Sequence, residues 1–394
     1  MEEFKKELEK HLLEKIVPFW KNQRDLVNGG YFGKTNTDLA IIETHEKGAI
    51  QMARFLFSFS RLENHYHTGE YLEYADHAYN FLRNFHDRWR GGYYFMSDYK
   101  GNVTDKRKHL YAQCFVLYGL LEYFKANKSL KVLGEISDLV DLIEEKYYSA
   151  EKKMYLEEMD ENFNELPNIL IGSDKKNTPY TMNTTIHLLE AYTVLAECIP
   201  SKKNRERVEK LIDLLYRKYY NPVTESLRLF FDESMKAFDK TISYGHDIEA
   251  TWLIDRAIDI CHIRNMDYNQ MTLNIADKVF NVARFNGSVV NELKENGELD
   301  SEIIWWVQAE AMVGFYNYYS KTRDVKYLEA VKEAFEGIKK LLVSDAQDGC
   351  WHWSATLDGE KNHYRGFAEP WKTPYHNVRA LLEVIERMED DQNL

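Results

Sequence analysis

Gly91-Gly92-Tyr93-Tyr94-Phe95-Met96-Ser97-Asp98-Tyr99-Lys100-Gly101-Asn102 is a glycine-rich, aromatic, alternating stretch set between two helical patterns. Alternation after paired glycines predicts a turn followed by a short hairpin or extended loop. An amphipathic pattern precedes it over 71–86, and a more uniformly apolar one follows over 108–124. Moving outward, the same cassette returns. Asn28-Gly29-Gly30-Tyr31-Phe32-Gly33 is the upstream copy. Lys153-Met154-Tyr155, Ser226-Leu227-Arg228, Gly287-Ser288-Val289 and Gly349-Cys350-Trp351-His352-Trp353-Ser354 open the downstream ones. Starting points 29, 91, 153, 226, 287 and 349 are separated by 62, 62, 73, 61 and 62 residues. A period that regular marks an internal repeat.

Each unit reads helix, extended turn, helix, so twelve principal helices are expected. Those before the cassettes, as at 130–148, 205–219 and 325–343, carry stripes of Lys, Glu and Asp and suit an outer layer. Those after them, as at 111–124, 182–196, 246–261 and 305–319, are apolar and aromatic nearly all round and suit an inner layer. Six such units either close into a ring or stack as an open solenoid with a hydrophobic groove. Closure would pair the first helix, 4–20, with the last, 376–388, and would account for the lack of polar terminal repeats. The expected fold is therefore all-α, an (α/α)6 barrel with short β-hairpins or extended loops between helices. No Pro-, Gly- or Ser-rich linker divides the chain, so 1–394 is read as a single catalytic domain.

Composition narrows the function. Tyr, Phe and Trp number 27, 20 and 8, an aromatic load that fills wide inter-helix gaps or lines a carbohydrate cleft. A net charge of −13 argues against nucleic acid and anionic membranes as partners, because phosphate binding needs a concentrated positive field. No apolar run approaches the roughly 20 residues that span a bilayer. Cys114, Cys198, Cys261 and Cys350 are far apart and read as reduced thiols of a cytoplasmic protein. The charged start Met1-Glu2-Glu3-Phe4-Lys5-Lys6-Glu7 is read as a helix rather than a signal peptide. Neither a dinucleotide fingerprint nor a complete metal-ligand set is present, so no cofactor and no metal are expected.

Parallel inner helices in a ring would bring their N-terminal ends to one mouth, with the positive ends of their dipoles. Those ends carry Arg54; His109 and Tyr111; Asn183 and His187; His246, Glu249 and Trp252; Trp305, Trp306 and Glu310; and Trp371, Tyr375, His376 and Arg379. In Ser243-Tyr244-Gly245-His246-Asp247-Ile248-Glu249-Ala250-Thr251-Trp252 a glycine hands over to a helix. His246, Glu249 and Trp252 then lie three apart on one face, a base, a carboxylate and an aromatic surface together. Blander roles stand beside these. His109 can cap its own helix, His187 can be buried in an apolar one, and Glu249 and Glu310 can be structural partners of Arg54 or Arg379. Trp305 and Trp306, being adjacent, should not both face the axis.

These motifs resemble those of the cellobiose 2-epimerases, within the wider N-acylglucosamine 2-epimerase superfamily of (α/α)6 barrels. The matching stretches run the length of the chain: Asn28–Gly33, Lys47-Gly48 to Arg54, Lys108-His109-x-Tyr111, Thr181-Met182-Asn183, Ser243–Trp252, Trp305–Glu310 and Trp371–Asn377. Two features depart from the pattern: Thr373, where the family usually has cysteine, and the segment 169–180 before the Thr-Met-Asn motif.

Inverting C2 of a reducing sugar needs ring opening, loss of the C2 proton and its return to the other face, hence two bases of near-neutral pKa. The resemblance implies that His246 and His376 are that pair. It also implies Arg54 and His187 as hydrogen-bond partners of the enediolate oxygens. Glu249 would orient a histidine, and Glu310 would hold sugar hydroxyls. Trp306 and Trp371 would offer ring faces, and Tyr111, Asn183 and Trp252 would complete the substrate site. The substrate implied is a β-1,4-linked disaccharide, cellobiose or lactose, and the expected assembly is a monomer or weak homodimer. Three other readings stay open: an aldose–ketose isomerase or an N-acylglucosamine- or mannose-type epimerase of the same superfamily, an inverting glycoside hydrolase using Glu249 and Glu310, and a non-enzymatic binding toroid.

Overall fold

Alternating charged and apolar helices separated by aromatic cassettes can bury their apolar faces only against one another, and the chain does this as two concentric layers. The computed structural model describes residues 1–169 and 177–392. Six outer helices are α1 (Glu2–His11, continued through Leu12–Ile16 and Val17–Lys21), α3 (Glu70–Leu82), α5 (Leu130–Lys146), α7 (Lys202–Leu214), α9 (Met266–Val282) and α11 (Val325–Gly337). Six inner ones are α2 (Ala49–Tyr66), α4 (Leu110–Asn127), α6 (Met182–Cys198), α8 (Tyr244–Cys261), α10 (Trp305–Thr322) and α12 (Tyr375–Gln392). The inner helices are buried along most of their length, whereas the outer ones bury a single stripe, as their sequence patterns require.

The ring is closed. Each inner helix packs on the next, α2 on α4, α4 on α6, and so on to α12, which returns to α2. The N-terminal helix α1 packs against α12, and Lys5 Nζ donates to Glu389 at 2.8 Å. The array is thus an (α/α)6 barrel rather than an open solenoid.

The cassettes make two sets of strand pairings. The first is local: each cassette starts by pairing back on the end of its outer helix. The pairs are Arg24 with Tyr31, His86 with Tyr93, Tyr148–Ser149 with Met154–Tyr155, Tyr220–Asn221 with Ser226–Leu227, Arg284–Phe285 with Ser288–Val289, and Val343 with Trp351. The second runs between repeats. The residues just before each inner helix pair with the following cassette: Lys47–Gly48 with Met96–Ser97, Lys108–His109 with Glu158–Met159, Tyr180–Thr181 with Phe230–Phe231, Ile242–Ser243 with Glu292–Leu293, and Ile303–Ile304 with Ser354–Ala355. Ala368 with Thr35 completes this circle. A side chain in the first turn of four inner helices then pins the cassette backbone. Gln51 donates to Phe32 O, Gln113 and Gln308 bond both backbone groups of Tyr93 and Val289, and Asp247 accepts from Leu227 N. This girdle fixes the starts of the inner helices, and with them the geometry of the mouth.

One local expectation changes and another is met. Helix α8 begins at Tyr244, so Gly245 lies inside its first turn and does not precede it. A Cβ there would come within 2.6 Å of Val307 and 2.7 Å of Trp306, so the glycine makes room for a neighbouring helix. His109 caps α4, its Nδ1 accepting from Tyr111 N at 3.0 Å. All four cysteines are free, and no helix among the described residues is long and apolar enough to cross a membrane.

Candidate active site

The girdle sets the inner helix starts around a cavity lined by Arg54, Tyr111, Asn183, His187, His246, Glu249, Trp305, Trp306, Trp353, Trp371 and His376. Nine of these are among the eleven residues singled out from the sequence. The other two of the eleven, Trp252 and Glu310, sit behind the wall. Trp252 is fully buried, its indole N–H donating to Glu310 Oε2 at 3.1 Å, so it cannot offer a ring face to a sugar. Glu310 is also fully buried and is spent on protein partners.

Each of the three cavity histidines is held through Nδ1. His376 Nδ1 donates to Glu310 Oε1 at 2.6 Å, His187 Nδ1 to Glu190 Oε2 at 3.0 Å, and His246 Nδ1 pairs with Ser243 Oγ at 2.8 Å. A ring anchored this way has its orientation fixed and presents Nε2 to the cavity, and the carboxylate partners of His376 and His187 also place the hydrogen on Nδ1. The expected pairing of a histidine with Glu249 is not formed. His246 turns back to Ser243 at the end of its strand, and Glu310, expected to hold sugar, orients His376 instead.

Burial dominates the protonation of these rings. It holds His246 down to about 3, with the neighbouring His187 adding to the effect. It also lowers His376 well below the ordinary value, helped by Arg379 and Arg54. His187 is lowered by burial too, against the pull of Glu190. All three are therefore neutral near pH 7, the form that accepts a proton.

Beneath the histidines lies a buried cluster of charge. Arg379, one turn beyond His376, donates from Nη2 to Glu249 Oε1 and to Glu310 Oε1, each at 2.6 Å, and from Nη1 to Glu190 and the Tyr375 hydroxyl. Its guanidinium also lies over the rings of Tyr375 and Trp252. Burial pushes Glu249 and Glu310 above the usual carboxylate range, with repulsion from Glu310 adding at Glu249 and from Glu190 at Glu310. Glu190 is instead held down to about 2, the guanidinium and His187 overcoming its burial. Ligand atoms of Glu249, Glu310 and His376 come within 4.8 Å of one another, a spacing that could hold a metal. Both carboxylates already face a permanent cation, the guanidinium of Arg379, so a divalent ion there would compete with a fixed charge.

The rest of the wall is aromatic and donor-rich. Arg54 donates to Trp371 O at 3.1 Å and the Tyr111 hydroxyl at 3.0 Å, with its guanidinium over Phe115 at 4.1 Å. Two of its four terminal N–H groups are thus left for the cavity. Asn183 Oδ1 is buried without a hydrogen-bond partner. Trp306 lies 4.7 Å from His246 and 5.6 Å from His376, ring centre to ring centre. Both members of the Trp305-Trp306 pair reach the cavity, contrary to expectation. Trp305 does so edge-on against His376 at 5.3 Å. Their place at the very start of α10, before a full turn has formed, allows both to point inward.

Sequence reasoning passed over Trp353 and Glu190; Arg379 is the structural partner of Glu249 and Glu310 that the sequence allowed, and it reaches Glu190 besides. Trp353 accompanies the strand that pairs Ser354 with Ile304, and its carbonyl accepts from Trp305 N. Glu190 could have been found, since it stands three residues after His187 on the same helix face. Of the departing segment 169–180, residues 170–176 lie outside the described residues. Thr373 is fully buried with its hydroxyl unpartnered.

Neutral buried imidazoles beside flat aromatic faces at the mouth of a closed helical ring define a barrel enzyme suited to proton transfer on a carbohydrate. The model of the N-acylglucosamine 2-epimerase (GlcNAc 2-epimerase) family matches residues 30–380. The cellobiose 2-epimerase of Dictyoglomus turgidum is 42% identical over 391 residues, 98% of either chain. That of Ruminococcus albus is 34% identical over 97% of this chain and 98% of its own. The solved cellobiose 2-epimerase of Bacillus thermoamylovorans superposes with a TM-score of 0.95 at 38% identity, covering 98% of this chain and 100% of that one. The chain belongs to the N-acylglucosamine 2-epimerase family and, within it, to the cellobiose 2-epimerases. It is an epimerase.

Proposed function

We propose that the chain inverts C2 of the reducing-end glucose of β-1,4-linked disaccharides, turning cellobiose into glucosyl-mannose and lactose into epilactose. The observation that carries this is the placement of His246 and His376. They come from α8 and α12, each is held by Nδ1, and they meet Trp306 between them.

After ring opening, one histidine takes the C2 proton at Nε2 and a cis-enediolate forms. Arg54, with N–H groups left for the cavity, offsets the charge that develops on its oxygens, and His187 Nε2 accepts from the remaining O–H of the same group. Rotation about C2–C3 turns the other face to the second histidine, which returns a proton to C2. That ring, neutral at rest, can acquire its proton from O1 as the sugar opens, with O5 protonated from water. Asn183 Oδ1, lacking a protein partner, accepts from a sugar hydroxyl, and Glu249 and Tyr111 serve the same end. Trp306, Trp371 and Trp353 supply ring faces.

An inverting hydrolase needs carboxylates about 6.5–9.5 Å apart with water between them. Glu249 and Glu310 instead accept from a single guanidinium nitrogen, which argues against that chemistry. No resident metal or cofactor is invoked. The free cysteines fit a cytoplasmic protein, and we read the assembly as a monomer or weak homodimer.

The test is incubation with cellobiose, lactose, glucose, mannose and N-acetylglucosamine, followed by separation of products. The 2-epimer of the disaccharides is expected, and its absence refutes the reading. Ketose would identify an isomerase, and free monosaccharide a hydrolase. His246→Ala and His376→Ala should each abolish turnover with the far-UV helical signal intact. Full activity in either removes that ring from proton transfer.

A further inference from the structure

Resting on the epimerase reading above, we propose that Arg379 is a positioning residue, the one guanidinium that ties together the carboxylates orienting His187 and His376. Its Nη1 reaches Glu190, the acceptor for His187 Nδ1, and its Nη2 reaches Glu310, the acceptor for His376 Nδ1. Tyr375 adds a second tie, donating to Glu190 Oε2 at 2.7 Å while accepting from Arg379. Imidazoles on α6 and α12, chemically separate in sequence, are thereby held by a single fully buried cation.

The arrangement follows from charge and geometry together. Three buried carboxylates surround one guanidinium. A carboxylate orients an imidazole N–H best when ionised, since it then accepts a charge-assisted bond. Buried and alone, it would take up a proton instead. The planar fork of arginine, with donors on both terminal nitrogens, can serve Glu190 and Glu310 at once, whereas a lysine ammonium is a single point charge. Partners that hold a metal-bound imidazole through its second nitrogen matter by about 10–100-fold, and an effect of the same order is expected where the imidazole moves a proton instead.

Charged and titratable groups face His376 from its neighbours: Arg54 on α2, His187 and Glu190 on α6, Glu249 on α8 and Glu310 on α10. Arg379 lowers the affinity of His376 for protons and Glu190 raises it. Opposite changes therefore follow from removing one or the other. Arg379→Met should move the acid limb of the kcat profile to higher pH, and Glu190→Gln should move it to lower pH. Arg379→Lys keeps the charge and so leaves the limb in place, but loses the fork.

Measured on cellobiose, Arg379→Lys and Glu190→Gln are each expected to lower kcat by about 10–100-fold, with KM within a few-fold of wild type. A defect of packing alone would not shift the acid limb with opposite signs. Should Arg379→Met fail to fold, Arg379→Lys and Glu190→Gln decide the matter. Wild-type kcat in both, or kcat losses with an acid limb unmoved in Glu190→Gln, overturns the proposal. Wild-type enzyme that exchanges no C2 hydrogen of cellobiose in D2O overturns the epimerase reading itself.

Discussion

Gly245→Ala sets two opposing effects against each other at the mouth of the barrel. Alanine is the better helix former, and near a helix start the change is worth at most about 1 kcal/mol. Against this, the new methyl would lie 2.6 Å from Val307 Cγ2 and 2.7 and 2.9 Å from two atoms of the Trp306 indole. Overpacking of that kind costs about 1–3 kcal/mol, so the net loss of stability is about 0–3 kcal/mol and the barrel survives. Function should suffer more. Trp306 is the ring that touches both His246 and His376, and it must move for the methyl to fit. A displacement of about 1 Å in such a site can lower the rate by about 100-fold. The expected result is a fall of about 10–100-fold in kcat/KM for cellobiose, with a shift in near-UV circular dichroism and a small change in Tm. Gly134→Ala is the control, for it lies in α5 with nothing within 4 Å of an added Cβ. It should gain up to about 1 kcal/mol at unchanged activity. Wild-type kcat/KM in Gly245→Ala would refute the claim that the glycine exists to admit Trp306.

Two further outcomes follow from the same structure. Ser243→Ala removes the Nδ1 partner of His246 and should lower kcat by about 10-fold, the effect of one hydrogen bond of about 1–1.5 kcal/mol; Ser243→Thr should restore most of it, and equal rates in all three would sink the anchoring role. Stability should fall as pH rises from about 6.5 to 8. Burial lifts Glu157 and Asp247 to about 8 and Glu158 to about 7, so through that window the folded chain binds more protons than the unfolded one. Lys372, lowered by burial to about 7, works in the opposite sense but is a single group. Melting curves across this range should show Tm decreasing toward pH 8, and a Tm that rises instead would show that these carboxyls are ionised in the folded state.

The fold was legible because a repeat of about sixty residues is a property of the chain itself. Alternation at Gly91–Ser97 and its five counterparts needs no partner to be seen, and neither does the contrast between striped and uniformly apolar helices. What a helix start presents was legible too, which is why the candidate residues converge on one cavity. Which carboxylate serves which histidine was not. His246 and Glu249 stand three apart, and so do His187 and Glu190, yet only the second pair bonds. The difference lies outside the helix: Arg379 bonds both Glu190 and Glu249, but only before α8 does the strand offer a competing partner, Ser243, to the histidine. Trp252 misled for a similar reason. It shares the face of His246 and Glu249, but two turns into the barrel that face meets Glu310 and not the cavity.

Depth along the inner helices therefore sorts the site into two levels. In the first turn stand His246, Trp305, Trp306 and His376, where the girdle of strands fixes the backbone and the side chains meet the opening. About one turn deeper stand Arg54, His187, Glu249, Glu310 and Arg379, where side chains from five of the six helices come within reach of one another. The upper level carries imidazoles and aromatic ring faces, and the lower level carries the charged groups that hold His187 and His376. Such a division depends on closure, because α12, which carries both His376 and Arg379, is held between α10 and α2. An open array would leave α12 with one neighbour and could not place Glu190, from the far side of the ring, against the same guanidinium as Glu310. Closing the sequence repeat into a ring is thus the step that turns scattered polar residues at helix starts into one cavity lined from every side.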